Sequence, residues 1–176
     1  MELIYRDLSR DEIIKMKEID RKELVEYNYR VKDGKLEMFE FYCDIKGFGA
    51  EHLNRIIDDL YKLYDNGGTI YGAFENSKLV GIVSLDSKFR GRNKDRLQLA
   101  LLHVSNDYRK KGIGKYLVEI VKEKAKQLGA SKIYISGAPI KNTIDFYMNV
   151  GCKLTPEIDE ELYKLEPDDI PMELCL

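Results

Sequence analysis

Residues 97–104, Leu-Gln-Leu-Ala-Leu-Leu-His-Val, form an apolar run that leads into Asp107-Tyr108-Arg109-Lys110-Lys111-Gly112-Ile113-Gly114-Lys115. Beyond that loop Leu117, Ile120, Val121 and Leu128 recur at the spacing of one helical face. A strand that turns through glycines into an amphipathic helix constrains the fold more than any other stretch of this chain. So apolar a strand has to be covered on both faces, and the helix has to lie against one of them. The turn also has a chemical consequence. The first N–H groups of a helix lack partners within it, and the helix dipole places about half a positive charge there. Such a turn is an anion site, and phosphate is its usual guest. Gly112 and Gly114 let the backbone come close to a phosphate, while Arg109, Lys110, Lys111 and Lys115 add cationic charge.

Two common phosphate-binding readings fail on spacing. The run Gly112-Ile113-Gly114-Lys115-Tyr116 lacks the Gly-x-x-x-x-Gly-Lys-Ser/Thr pattern of nucleoside triphosphatases. The Gly-x-Gly-x-x-Gly of dinucleotide-binding folds is incomplete, and no acidic residue closes the next strand. The formal net charge of −2 argues against nucleic acid as a partner, so the basic loop is a local feature on a mildly acidic body.

The 176 residues, 44% of them hydrophobic and 34% charged, have the size and composition of a single globular domain over 1–176. Cys43, Cys152 and Cys175 are odd in number and widely spaced, as in reduced cysteines rather than a disulfide frame or a metal site. With no apolar run near the ~20 residues of a membrane span and no leader pattern, the expectation is a cytoplasmic protein with no metal and no membrane partner.

Strand patterns at 3–5, 69–75, 79–86, 97–104, 132–136, 152–154 and 172–176 alternate with helix patterns at 11–23, 51–64, 113–128 and 142–150. Ser9 followed by Glu12 is a capping box for the first helix. Asp33-Gly34, flanked by alternating residues, predicts a β-hairpin with a type I′ turn within about 24–48. The order predicts an α/β (α+β) fold: a mixed central sheet with helices on both faces and an extra N-terminal hairpin.

A second segment bears on chemistry: Asn142-Thr143-Ile144-Asp145-Phe146-Tyr147-Met148-Asn149-Val150-Gly151-Cys152. Together, Arg-x-x-Gly-x-Gly after a strand and Phe-Tyr before a helix-ending glycine resemble the GNAT N-acetyltransferase superfamily, over nearly the whole chain. The resemblance implies acetyl-CoA as co-substrate, with its pyrophosphate on Arg109, Lys110, Lys111, Gly112, Ile113, Gly114 and Lys115. It implies that the peptide-like pantetheine arm lies along free backbone groups of Leu102, His103 and Val104. It assigns Tyr147 as the general acid that protonates the leaving thiolate. A phenol, protonated at neutral pH, suits that role, although an amphipathic helix also packs tyrosines into cores.

The chain departs from the pattern in three places. Ile140 stands where many relatives carry an asparagine, which makes Asn142 either the cap of its helix or a cofactor contact. Cys152 replaces an aromatic residue. Gln98 occupies the place of a glutamate base, which leaves His103, Glu51 and His52 as candidates on the acceptor side. The hairpin aromatics Tyr27, Tyr29, Phe39, Phe41 and Tyr42 alternate with carboxylates, which either line the site of a cationic amine or pack the hairpin onto the body. Residues 87–96, with Arg90 and Arg92, border the acceptor end or hold the cofactor's 3′-phosphate in this reading. The expected activity is N-acetylation of a primary amine, of a small molecule or of a protein, with a non-catalytic acyl-CoA sensor and a homodimer as further possibilities.

Overall fold

A computed structural model describes residues 2–176. Its order is β1 (Ile4–Asp7), a 3₁₀ helix (Arg10–Glu18), β2 (Glu23–Lys32), β3 (Lys35–Ile45), α1 (Ala50–Asp65), β4 (Thr69–Glu75) and β5 (Lys78–Leu85). There follow β6 (Arg96–Val104), α2 (Ile113–Gln127), β7 (Lys132–Gly137), α3 (Lys141–Asn149), β8 (Lys153–Leu154), α4 (Glu160–Leu165) and β9 (Ile170–Cys175). Seven strands form one mixed sheet in the order β1-β4-β5-β6-β7-β9-β8, while β2 and β3 pair only with each other. All pairs in the large sheet are antiparallel except β6 with β7. The expected mixed sheet, with helices on both faces and a separate hairpin, is what forms.

Covering both faces is what makes β5 almost wholly buried. On one face α2 presents Ile113, Leu117, Val118, Val121 and Ala125, and α3 joins it over Leu85, Leu97, Leu99, Ile133 and Met172. On the other face Ile13 and Met16 of the 3₁₀ helix and Ile57 and Leu60 of α1 cover Ile70, Leu79 and Ile82. Gly129 ends α2 with φ +93°. Its N–H donates to the Lys126 carbonyl and the next N–H, of Ala130, to Ala125, a Schellman ending. Asp33 and Gly34 both adopt positive φ, as the type I′ turn requires.

Three local expectations need correction. The segment expected to be helical over 11–23 is a 3₁₀ helix that stops at Glu18, because Glu23 already belongs to β2. The Glu12 carboxylate still accepts from the Ser9 N–H (3.1 Å), so the capping signal was real. The last strand does not close the sheet but enters between β7 and β8, and α4 was not foreseen. Asp159 caps α4 by accepting from the Leu162 N–H (3.0 Å), a signal present in the sequence but followed by too short an apolar pattern.

Residues 87–96 hold the start of β6 to this C-terminal part. Arg90 is buried and pairs with Asp159 (3.2 Å) and Glu161 (3.1 Å). Arg96 is buried between Asp95 (2.9 Å), Glu157 (3.3 Å) and Glu173 (3.3 Å). These arginines are spent at the β6 end opposite the glycine loop, which removes Arg90 as a ligand for a cofactor phosphate. Glu173 is fully buried and also accepts from Thr155 (3.0 Å). Glu173→Ala should cost about 3 kcal/mol, near the low end for breaking a buried pair, because Asp95 and Glu157 still hold Arg96. Urea unfolding measures this, and a change below about 0.5 kcal/mol, the range of ordinary surface substitutions, would mean that the network adds nothing to stability.

Candidate active site

The decisive local feature is where β6 and β7 stop pairing. Their parallel ladder covers only Arg96–Leu99 against Lys132–Ile135, although β6 continues to Val104. On its other side β6 stays paired with β5 up to Val104. A register shift falls beside Ala100, the one exposed residue of this otherwise covered strand. The two strands therefore part after Leu99 and Ile135, leaving one backbone edge of β6 facing a gap.

Pairing with β5 decides which groups face that gap. The Ser105 N–H donates to the Val80 carbonyl (2.9 Å). Since alternate residues of an antiparallel strand turn their backbone groups to opposite sides, His103 pairs with β5, while Leu102 and Val104 turn toward the gap. Of the three residues expected to offer free backbone groups, His103 is thus excluded by its ladder. The Val104 carbonyl is also taken, by Arg109 Nε (2.9 Å). The Leu102 N–H and carbonyl and the Val104 N–H remain.

The glycine loop lies at the end of this edge. Lys110 (φ +59°) and Gly112 (φ +84°) are both left-handed, a turn that presents successive N–H groups to one side. Gly112 caps α2, and a Cβ there would meet no atom within 4 Å. Gly114 has a different task. A Cβ at Gly114 would lie 3.2 Å from the Phe146 ring, so its absence lets α2 approach α3. Lys110, Lys111 and Lys115 are exposed, and among the described residues none of them pairs with a carboxylate. Arg109 differs. Besides Val104, its guanidinium donates to the Lys22 carbonyl (3.1 Å) and approaches Glu23 (3.7 Å). It braces the base of the hairpin and is not held out as a free cation.

Glu23 was not singled out in the sequence, yet it joins the parts of the site. Its carboxylate accepts from Arg21 (2.5 Å) and from Asn142 Nδ2 (3.2 Å) and lies near Arg109. Asn142 is therefore not the helix cap, a place held by Ile140. A few residues on, the Tyr29 N–H donates to the Pro139 carbonyl (2.7 Å) and the Tyr29 hydroxyl to Asp145 (2.7 Å). β2 thus runs from the end of β6 to the end of β7, across the gap. Tyr29 is a packing residue, while Phe41 and Tyr42 stay exposed.

Tyr147 lies on α3, on the β7 side. It is buried, with its ring edge-on to Phe146 (5.4 Å between centroids). Gly137 lets α3 sit close, since a Cβ there would fall 2.9 Å from Ile144 and 3.7 Å from Tyr147. Burial, with Cys152 and Asp169 nearby, pushes the Tyr147 phenol well above its ordinary pKa, so it keeps its proton. Asp169 is itself pushed up to about 6 by burial and by Glu166 and Asp168. Burial raises the Cys152 thiol to about 12, which makes it a packing residue without nucleophilic character.

His103 sits edge-on to Phe48 (5.0 Å), which in turn lies near His52 (6.1 Å). Phe48, between Gly47 and Gly49, was not anticipated as a site residue. Burial first, then Arg21, Arg109 and His52, push the His103 imidazolium down to about 3. The ring is neutral at physiological pH and weakly basic, which works against the expectation of His103 as the base. Glu51 and His52 are exposed at the start of α1. Among the described residues no group of side chains could hold a metal ion, and no helix is long and apolar enough to cross a membrane.

Residues 35–151 match the model of the Acetyltransferase (GNAT) family. N-acetyltransferase family 8 member 2 of Rattus norvegicus is 30% identical over 118 residues, 65% of this chain and 52% of that protein. The chain thus spans about half the length of this curated relative. A Bacillus anthracis protein described as a streptothricin acetyltransferase, solved with acetyl coenzyme A, superposes with a TM-score of 0.74 at 19% identity, covering 100% of this chain and 99% of that one. A nourseothricin acetyltransferase gives 0.72 at 18%, covering 99% of each. The PaiA N-acetyltransferase of Thermoplasma acidophilum, solved with coenzyme A, gives 0.66 at 17%, covering 100% of each. At these identities the structures share the fold.

Gly112→Val tests the loop. The open space around Gly112 predicts a folded variant, while its positive φ predicts a distorted turn. Affinity for coenzyme A should fall at least tenfold in calorimetry. An unchanged affinity in the folded variant would place the phosphates elsewhere.

Proposed function

The chain belongs to the acetyltransferase (GNAT) family, and from that premise we propose that it transfers the acetyl group of acetyl-CoA to a primary amine of a small molecule. The observation that carries the reading is the parting of β6 from β7, bordered by the glycine loop at one end and, on the β7 side, by α3, the helix that carries Tyr147. An amide-rich arm satisfies the exposed edge of β6 as a further strand would. The pyrophosphate accepts from the N–H groups of the loop, with Lys110, Lys111 and Lys115 as charge partners.

In this reading the neutral amine attacks the thioester carbonyl directly and forms the new C–N bond. The C–S bond then breaks, its electron pair leaves with sulfur, and the Tyr147 O–H delivers a proton to the thiolate. The high pKa of Tyr147 keeps that proton in place until a sulfur anion develops. Gln98 has no basic group and His103 is too weak a base, so the nitrogen gives up its own proton to water or to the exposed Glu51 or His52 at the start of α1. Asn142 donates to Glu23 and, being exposed, keeps its Oδ1 for the cofactor.

A small acceptor is favoured because β2 crosses the gap and confines that side, and because the hairpin carries Glu26 and Glu40 for a cationic partner, while Glu37 and Asp44 are already paired with Arg30 and Lys46. The neighbours named for streptothricin and nourseothricin acetylation match the chain across its whole span, hairpin included. The direct test is release of free thiol from acetyl-CoA across a panel of small amines, peptides and N-terminal peptides. Turnover confined to the peptides would overturn the small-molecule reading.

Tyr147→Phe should lower kcat by about 10²–10⁴-fold, the usual worth of a placed proton donor. KM for acetyl-CoA should hold, because the ring and its packing remain. Since the phenol pKa is raised, the wild-type rate should show no loss from Tyr147 ionisation up to at least about pH 10, the unperturbed phenol value. A folded variant with wild-type kcat would remove Tyr147 from the mechanism.

A further inference from the structure

Most polar groups that β2 turns toward α3 are paired. The Glu23 carboxylate has Arg21 and Asn142, the Tyr29 hydroxyl has Asp145, and the Tyr29 N–H has the Pro139 carbonyl. Asn28 stands out. It faces Ile140 as its partner in an isolated antiparallel bridge, and it is only 8% exposed. Yet its Oδ1 has no hydrogen-bond partner among the described residues. A buried carboxamide left unpaired is a standing cost to a fold, and Ile140 opposite offers no polar side chain to relieve it. The place is specific: β2 carries Asn28 to the β7 side of the gap, at the start of the helix that bears Tyr147.

We infer that Asn28 is a cofactor-binding residue whose carboxamide pairs with an amide of the pantetheine arm of coenzyme A. This rests on the acetyl-CoA reading above. An arm lying on the edge of β6 satisfies part of its hydrogen bonding at Leu102 and Val104 and turns the rest toward the opposite wall. A carboxamide both donates and accepts, so it matches an amide group in either orientation. Oδ1 is closed off in the ligand-free chain, so a turn of the carboxamide about χ2 is what brings it to the arm. The extra hairpin then holds cofactor as well as confining acceptor.

The test is calorimetric titration of the full chain with two probes. Coenzyme A carries the arm, and 3′-phosphoadenosine 5′-diphosphate keeps the phosphates without it. Asn28→Leu fills a similar volume and removes the unpaired amide. It should leave the melting temperature of the ligand-free protein unchanged or higher. It should weaken coenzyme A about tenfold, the worth of one hydrogen bond, and leave the shorter probe unaffected. Adding Ile140→Asn, which offers an amide from the other side of the same bridge, should recover part of the loss. Equal weakening of both probes, no weakening of coenzyme A, or a lowered melting temperature would overturn the inference and make Asn28 structural. A wild-type chain that binds neither probe would instead overturn the acetyl-CoA reading itself.

Discussion

A hydrogen-bonded ladder that stops halfway along a strand sets up everything else in this molecule. β6 is tied to β5 along its exit and to β7 only over Arg96–Leu99. Unpaired backbone donors and acceptors inside a domain are costly unless water or a ligand takes them. A fold that keeps such an edge open has to hold the two strands apart by other contacts. Here α2 and α3 do so, packing against each other where Gly114 meets Phe146 and against the sheet where Gly137 meets Ile144.

The hairpin is the second brace. Arg109 links the Val104 carbonyl to the Lys22 carbonyl and Glu23, while Asn28 and Tyr29 reach Ile140 and Pro139. The same strand thus fixes the ends of both β6 and β7. The two sides of the gap are coupled through the hairpin, because Glu23 contacts Arg21 and Asn142 and approaches Arg109 at once. In the proposed reading, cofactor and acceptor meet under one strap, and disturbing it at Glu23 disturbs both.

Much of this was legible in the sequence where the signal is local. The strand–glycine–helix run, the Asp33-Gly34 turn, the Gly129 ending and the period of α2 depend on neighbours a few residues away, and each formed. What was not legible depends on residues far apart in the chain. Nothing in the order of residues says that Arg109 would turn back to Lys22, or that Arg90 and Arg96 would be buried among Asp159, Glu161 and Glu173. Basic residues near a glycine loop read as ligands for phosphate, and only packing reveals which are already spent. Glu23 and Asn28 carried no local signal, since their meaning lies far along the chain, in Arg109 and Asn142 for Glu23 and in Ile140 for Asn28. His103 was visible as a titratable group on the right strand, but its depressed basicity comes from burial and from Arg21, which only the fold brings near.

The open edge of β6 is also what can be measured most directly. Backbone amide hydrogen exchange at Leu102, His103 and Val104, with and without coenzyme A, separates the alternation residue by residue. The His103 amide, paired with β5, should be protected in both states. The Leu102 and Val104 amides should exchange faster in the free chain and slow markedly when coenzyme A is bound. Binding that leaves Leu102 and Val104 unchanged, or that protects all three alike only through a general stiffening of the sheet, would contradict the claim that this edge receives the cofactor.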